Sequence, residues 1–296
     1  MMQGTGSASS PRTYLFVPGN RPERFAKALA SGADALILDL EDSVPLSEKA
    51  AARQAVADWL VTAPTSKPVL VRVNALSSPL HNDDLQILRR MRPFGLVLPK
   101  CEGVDDVLAF DEVLCGFEER SGWPRRSISV IAIATETARG MQRIHTFDHP
   151  VPRLGGILWG AEDLAASLGV RSLRDSQGQY KATALRARDA ALFAGHACGV
   201  AAIDAVYTGL DDAPGLEAET RAHAALGFTA KAAIHPAQIA LIHQAQRPSE
   251  NDLAWAGEVI AELEDGARAS GRVRGAMVDQ PHLNAARRIR KQSGLP

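Results

Sequence analysis

Eight short apolar runs, each followed by a stretch rich in helix formers, recur along this 296-residue chain, and that repeat limits the possible folds more than any other feature. The runs are Thr13–Val17, Ala35–Leu40, Val69–Val73, Gly95–Leu98, Ile128–Ala134, Gly156–Trp159, Ala201–Val206 and Thr229–Ile234. Helices are expected after them over Arg21–Ala30, Ser47–Val61 with Ser47 as N-cap, His81–Met91, Val104–Arg120, Gly140–Phe147, Ala161–Leu168, Asp211–Leu226 and Pro236–Gln246. The runs are continuously apolar rather than alternating, as strands of a parallel sheet covered on both faces must be. Eight such units close into a (β/α)8 TIM barrel. The competing doubly wound open sheet needs five or six strands and usually a glycine-rich first turn. Here that turn reads Pro18-Gly-Asn-Arg-Pro22.

Two segments exceed the repeat. Tyr180–Gly199 reads as an alanine-rich helix inserted between units six and seven, and Asp252–Ser270 as a helix beyond unit eight, followed by the tail 271–296. The chain is therefore expected to divide into a disordered lead-in over 1–11, a barrel over 12–246 and a helical C-terminal arm over 247–296.

Thirty-three Lys and Arg against 34 Asp and Glu give a net charge of −1, which argues against a nucleic-acid binder. Cys101, Cys115 and Cys198 have no Cys-x-x-Cys spacing, so they suggest buried small residues rather than a disulfide framework or a zinc site, and a reducing cytoplasm is expected. No apolar run is long enough for a membrane span, and the opening residues lack a secretory pattern.

Barrel chemistry lies where strands end. Strand two ends in Asp39, Glu41 and Asp42, strand three carries Arg72 and Asn74, and strand four ends in Lys100 and Glu102. Strand five ends in Glu136 and Arg139, strand six in Glu162 and Asp163, and strand eight in Lys231 and His235. Carboxylates sharing one rim repel unless a cation lies between them, and hard oxygen ligands suit Mg²⁺. On spacing alone the ligands could be any of Asp39, Glu41, Glu136, Glu162 and Asp163, and each acid could equally be a helix cap or a solvated first-turn charge.

The chain resembles the citrate lyase beta-subunit-like proteins of the HpcH/HpaI aldolase superfamily, which include malyl-CoA and citramalyl-CoA lyases. The resemblance spans roughly Arg12 to Ile289. It rests on Tyr14-Leu-Phe-Val-Pro-Gly-Asn-Arg-Pro-Glu-Arg-Phe25, Asp39-Leu-Glu-Asp-Ser43, Val71-Arg-Val-Asn74, Pro99-Lys100, Glu136-Thr-Ala-Arg139, Gly160-Ala-Glu-Asp-Leu164 and Lys231-Ala-Ala-Ile-His-Pro236. It implies a TIM barrel, assembled as a trimer or hexamer, that makes or breaks a carbon–carbon bond beside an acyl thioester using Mg²⁺. It further implies Glu136 and Asp163 as metal ligands, Arg72 and Glu136 as substrate contacts, and Asp39, Glu41 and Lys100 as the groups behind them. Asp42 stands where the class acting on free acids has His, which favours the thioester branch. Ala230 and Cys101 depart from the family's usual Gly and Val.

The segment Gly275-Ala-Met-Val-Asp-Gln-Pro281 resembles the lid that carries an Asp into a neighbouring subunit's site, which makes Asp279 the proton donor to the enolate carbon; otherwise it is a polar turn. Asn20, Arg21 and Arg24, at the start of the first helix, are candidates for the phosphates of coenzyme A; as plain first-turn residues they would be solvated. Lys231 and His235 are expected to be structural or substrate-orienting. The expected reaction cleaves a 3-hydroxy-3-carboxyacyl-CoA thioester, citramalyl-CoA by preference, to acetyl-CoA and a 2-oxo acid. The alternatives are a citryl thioester on acyl carrier protein within a citrate lyase complex, thioester hydrolysis, and a catalytically silent barrel subunit.

Overall fold

The computed structural model describes residues 10–62, 67–263 and 269–293. It splits into two compact units, Met1–Ile242 and His243–Pro296. Among its described residues the first holds eight strands, β1 (Thr13–Pro18), β2 (Ala35–Asp39), β3 (Val69–Arg72), β4 (Gly95–Leu98), β5 (Ser129–Ile133), β6 (Leu154–Leu158), β7 (Ala201–Asp204) and β8 (Ala230–Ala233). Each pairs in parallel with the next, and β8 pairs back onto β1, so the sheet is a closed barrel rather than an open doubly wound sheet. The repeat thus predicts the strand count and direction correctly.

Alternation along the strands sorts side chains into two cores. Tyr14, Ile37, Leu70, Val97, Ile131, Leu158 and Ile203 fill the barrel interior. Leu15, Leu36, Leu38, Val71 and Leu96 point outward, into a core shared with Phe25, Val56, Phe110 and Leu114 of the surrounding helices. Those helices are α1 (Phe25–Leu29), α2 (Lys49–Thr62), α3 (His81–Asp84), α4 (Val104–Arg120), α5 (Ala138–Arg143), α6 (Ala161–Ser167), α7 (Ala182–Ala197), α8 (Ala213–Leu226) and α9 (Gln238–Ala245).

Several expected helices are shorter and tighter. The first three and the fifth are partly 3-10 turns, at Pro22–Arg24, Leu46–Glu48, Leu85–Arg89 and Ile144–Thr146. Ser47 lies inside the second of these turns, whose N-cap is Pro45, so it is not the cap expected of it. The assignment of the inserted helix is also reversed. The seven-residue α6 is a short helix that follows directly on β6 at the carboxyl end of the barrel. The 16-residue α7 packs on β6 and β7 and buries Ala184, Ala187 and Ala191. It is the barrel's own return helix, and α6 is the addition.

The second unit contains α10 (Glu250–Leu263), the antiparallel hairpin β9 (Ser270–Val273) and β10 (Ala276–Asp279), and α11 (Gln280–Gln292). Residues 264–268, inside the expected helix Asp252–Ser270, lie outside the described residues, as do 1–9 of the lead-in and 294–296 of the tail. Ser270 is in a strand, so that helix does not reach it. The hairpin turns on Arg274 and Gly275, both at positive φ (50° and 86°), the backbone that a two-residue turn matching strand twist requires. Ala256, Val259, Val273, Val278, Leu283 and Ala286 form this unit's core.

Candidate active site at the carboxyl end of the barrel

Parallel register sets Asp39, the last residue of β2, directly beside Arg72, the last residue of β3. The guanidinium grips the buried carboxylate with two hydrogen bonds, Nε to Oδ1 at 2.6 Å and Nη2 to Oδ2 at 2.7 Å. Asp39 also accepts from the backbone N–H of Glu41 (2.9 Å), the backbone N–H of Ser43 (3.1 Å) and the Ser43 hydroxyl (2.5 Å). Its lone pairs are taken, which leaves none for a cation. Burial alone would raise its pKa, but Arg72 and these donors outweigh burial and hold it below the usual carboxylate range. Arg72 lies over the Phe16 ring at 4.9 Å and pairs through Nη1 with Glu41 Oε2 at 3.1 Å. Despite burial, these carboxylates raise its pKa, so its charge is permanent.

A second group surrounds Glu136, which is almost fully buried just beyond β5. Lys100 takes the left-handed conformation, φ 50°, which costs a non-glycine residue about 1 kcal/mol or more. In that conformation its backbone N–H donates to Glu136 Oε2 at 2.6 Å. Its ammonium group extends to Glu41, to Asp42 (3.0 Å) and to Asp163 (3.3 Å). Asp163 sits in the first turn of α6, where the helix dipole favours an acid. Between Glu136 and α6 lies Gly160, the helix N-cap; a Cβ there would stand 2.8 Å from Glu136 Cγ and 3.2 Å from its Oε1. Burial, reinforced by the charge of Asp163, pushes the Glu136 pKa up to about 8 against the pull of Arg72. Burial likewise raises Glu41, in spite of Arg72 and Lys100.

These groups face a cavity of about 340 Å³ whose wall includes Phe16, Arg72, Glu136, Trp159, Asp163 and Ile234. That volume suits a small ligand held by a few convergent polar groups. The donor set fits a hard divalent cation. Glu136 is a carboxyl group that burial, helped by the charge of Asp163, keeps protonated near neutrality, and buried Glu41 Oε2 makes no hydrogen bond among the described residues although Arg72 lies at ion-pair distance. A cation would relieve both conditions.

The other sequence candidates stand outside the Asp39–Arg72 and Glu136–Lys100 groups. Asn20 donates to Glu48 at 2.6 Å, and Arg21 and Arg24 are exposed on the turn at Pro22–Arg24. Asn74 is buried behind the rim, bonded to Leu40 O and Asp84. Arg139 is exposed and pairs with Glu102 at 3.3 Å. Glu162, also exposed, lines the cavity mouth. Cys101 is buried, and burial pushes its thiol up to about 12, so it is no nucleophile at neutral pH. His235 is exposed and accepts from the backbone of Ala237.

Lys231 is fully buried, donating to Asp204 at 2.5 Å, Ala205 O at 2.9 Å and Glu219 at 3.2 Å. Asp204, Glu219 and His223 bring ligand-type atoms within 4.8 Å of one another. The Lys231 ammonium already stands among them, so this cluster is an internal ion pair rather than a cation site. Asp279 belongs to the second unit, where it caps α11 with Oδ1 2.6 Å from His282 Nδ1.

Sequence reading missed Phe16, Ser43 and the space left by Gly160. All three stand inside the motifs that carry the resemblance, but nothing in their spacing says that Phe16 lies against Arg72, that Ser43 holds Asp39 or that Gly160 makes room for Glu136.

Residues 12–236 match the family described as HpcH/HpaI aldolase/citrate lyase. A citrate lyase subunit beta-like protein of Mycobacterium tuberculosis is 38% identical over 95% of this chain and 95% of its own length. The L-malyl-CoA/beta-methylmalyl-CoA lyase of Cereibacter sphaeroides is 31% identical over 99% of this chain and 98% of its own. Among solved structures, the M. tuberculosis protein CitE in complex with magnesium, acetoacetate and coenzyme A superimposes with a TM-score of 0.82 at 38% identity, covering 96% of this chain and 98% of that one. A closed parallel barrel, a carboxylate-rich mouth and matches of this length leave one assignment: the chain belongs to the HpcH/HpaI aldolase/citrate lyase family of carbon–carbon lyases.

Proposed function

We propose that this chain is a Mg²⁺-dependent lyase that cleaves a 3-hydroxy-3-carboxyacyl-CoA thioester of the citramalyl-CoA or malyl-CoA type to acetyl-CoA and a 2-oxo acid. The observation that carries the reading is the buried Glu136 carboxyl, pushed to about 8 beside Asp163 and across the cavity wall from Arg72. Glu136 and Asp163 would hold the cation. The cation held there would supply Lewis-acid activation of the substrate's hydroxyl group.

Arg72 has the task of meeting negative charge on the thioester oxygen as the bond to the 2-oxo acid breaks. Asp39 and the Phe16 ring hold the guanidinium in place, so it stabilises that charge without reorganising. Lys100 serves by its backbone, fixing Glu136 Oε2. We assign Asp279, from a neighbouring copy in a trimer or hexamer, to protonate the enolate carbon; the substrate's hydroxyl proton leaves to solvent as the bond breaks, and Asp279 takes a proton back from solvent, so the cycle is proton-neutral. Asn20, Arg21 and Arg24 are our candidates for the coenzyme A phosphates. Complexes of the related CitE with magnesium, acetoacetate and coenzyme A support a thioester substrate.

The test is acetyl-CoA release from malyl-, citramalyl- and citryl-CoA, with Mg²⁺ and with chelator. We expect Mg²⁺-dependent release from one of the first two, lost in Glu136→Ala and Asp163→Ala proteins that keep their fold. Release from neither, or undiminished turnover in either variant, refutes the assignment.

A further inference from the structure

We propose that the hydrogen bond between Trp159 and Asp204 positions the Asp163 side of the cation site, which makes Trp159 a positioning residue for the reaction. The proposal rests on the cation site put forward above. Trp159 is fully buried and occupies the single position between the end of β6 and Gly160, the N-cap of α6. Its indole Nε1–H donates to Asp204 Oδ1 at 2.8 Å, and its ring meets Tyr180 edge-on at 5.1 Å. The next residue, Gly160, lies against the Glu136 side chain, and Asp163 follows within the first turn of the helix. Both carboxylates of the site are therefore placed relative to a stretch of chain that begins at this indole.

Asp204 is built as a fixed post. Besides the indole, Oδ1 accepts from the backbone N–H of Ala205 at 2.9 Å and from the His223 ring at 2.9 Å, while Oδ2 accepts from Lys231 at 2.5 Å. Arg188 lies 3.2 Å from His223 Nε2. A guanidinium can only donate, so Nε2 accepts and the proton sits on Nδ1, facing Asp204. Glu219, on the same helix as His223, receives Lys231 and also Arg174, which lies over the Tyr180 ring at 3.6 Å. Burial would neutralise Asp204, but Lys231 and His223 overcome it and keep the carboxylate charged. A charged acceptor holds an N–H about twice as strongly as a neutral one. Trp159 and Ala205 line the cavity, so Asp204 acts on the site through them.

The test is a calorimetric titration of Mg²⁺ into the substrate-free protein, with thermal unfolding followed in parallel. Trp159→Phe should fold, because Asp204 keeps its other donors, and should bind Mg²⁺ about tenfold more weakly, the lower end of the range for groups that orient ligands. Phe228→Leu trims packing beside His223, whose ring Phe228 meets at 5.8 Å, and removes no hydrogen bond to Asp204. It should lower the melting temperature and leave Mg²⁺ affinity unchanged. Glu136→Gln should abolish the titration. If Trp159→Phe binds Mg²⁺ as the parent does, the positioning role is overturned while the site survives. If Glu136→Gln also binds normally, the cation site itself falls. Should Trp159→Phe fail to fold, Asp204→Asn, which keeps an acceptor oxygen, replaces it with the same expectation and the same refuting result.

Discussion

Replacing Gly160 with alanine isolates the space on which the proposed cation site depends. Its backbone angles, φ −127° and ψ 120°, are open to any residue, so the substitution adds no backbone strain and only introduces a methyl group. That methyl would stand 2.8 Å from Glu136 Cγ, whereas carbon atoms rest about 3.5–4.0 Å apart, so one side must give by about 0.7 Å. Glu136 has little freedom, since it is buried and its Oε2 is held by the Lys100 backbone at 2.6 Å. Overpacking of this kind costs about 1–3 kcal/mol of stability, and a displacement near 1 Å in a catalytic group costs about 100-fold in rate. The expected result is a melting temperature lower by several degrees, Mg²⁺ affinity weakened about 10- to 100-fold, and kcat/KM reduced by a similar factor. Calorimetry and the acetyl-CoA assay on one preparation measure all three. A Gly160→Ala protein with parental Mg²⁺ affinity and turnover would refute the reasoning, because Glu136 would then not need that space.

Four further outcomes follow. With Glu136 at about 8, the free protein carries its proton below that pH and Mg²⁺ must displace it. Affinity should therefore rise about tenfold per pH unit up to 8 and then level off, with close to one proton released per cation. The cation-free protein binds that proton more tightly than the unfolded chain does, so it should lose stability as pH rises from about 4.3 to 8, which denaturant melts can follow. Lys231→Met leaves Asp204 and Glu219 without their shared ammonium and should cost about 3–5 kcal/mol in chemical denaturation. Asp279→Asn should leave folding intact and slow overall turnover, while exchange of thioester α-protons in acetyl-CoA, followed by NMR in D₂O, drops below detection; undiminished exchange would place the proton donor elsewhere.

The strand count and the barrel were legible because the apolar runs must be buried on both faces, and eight consecutive parallel strands have a closed solution. The positions of Arg72 within one of those runs and of Glu136, Lys100 and Asp163 just past others were legible for the same reason. The roles of α6 and α7 were not. Both have helix-forming sequences, and only packing against β6 and β7 tells which one belongs to the repeat and which one is added. The hairpin Ser270–Asp279 was hidden too, since Arg274 at positive φ is a conformation that glycine signals and arginine does not.

The sequence by itself determined a repeating α/β architecture and a rim rich in paired charges, because period and polarity are local properties of the chain. Tertiary structure alone decided which charges are spent. Asp39 is consumed by Arg72 and Ser43, and Lys231 by Asp204 and Glu219, while Glu136 is left buried with its pKa near 8. A carboxylate's availability depends on donors brought from other strands and on the water removed around it, and neither is written in its neighbours along the chain.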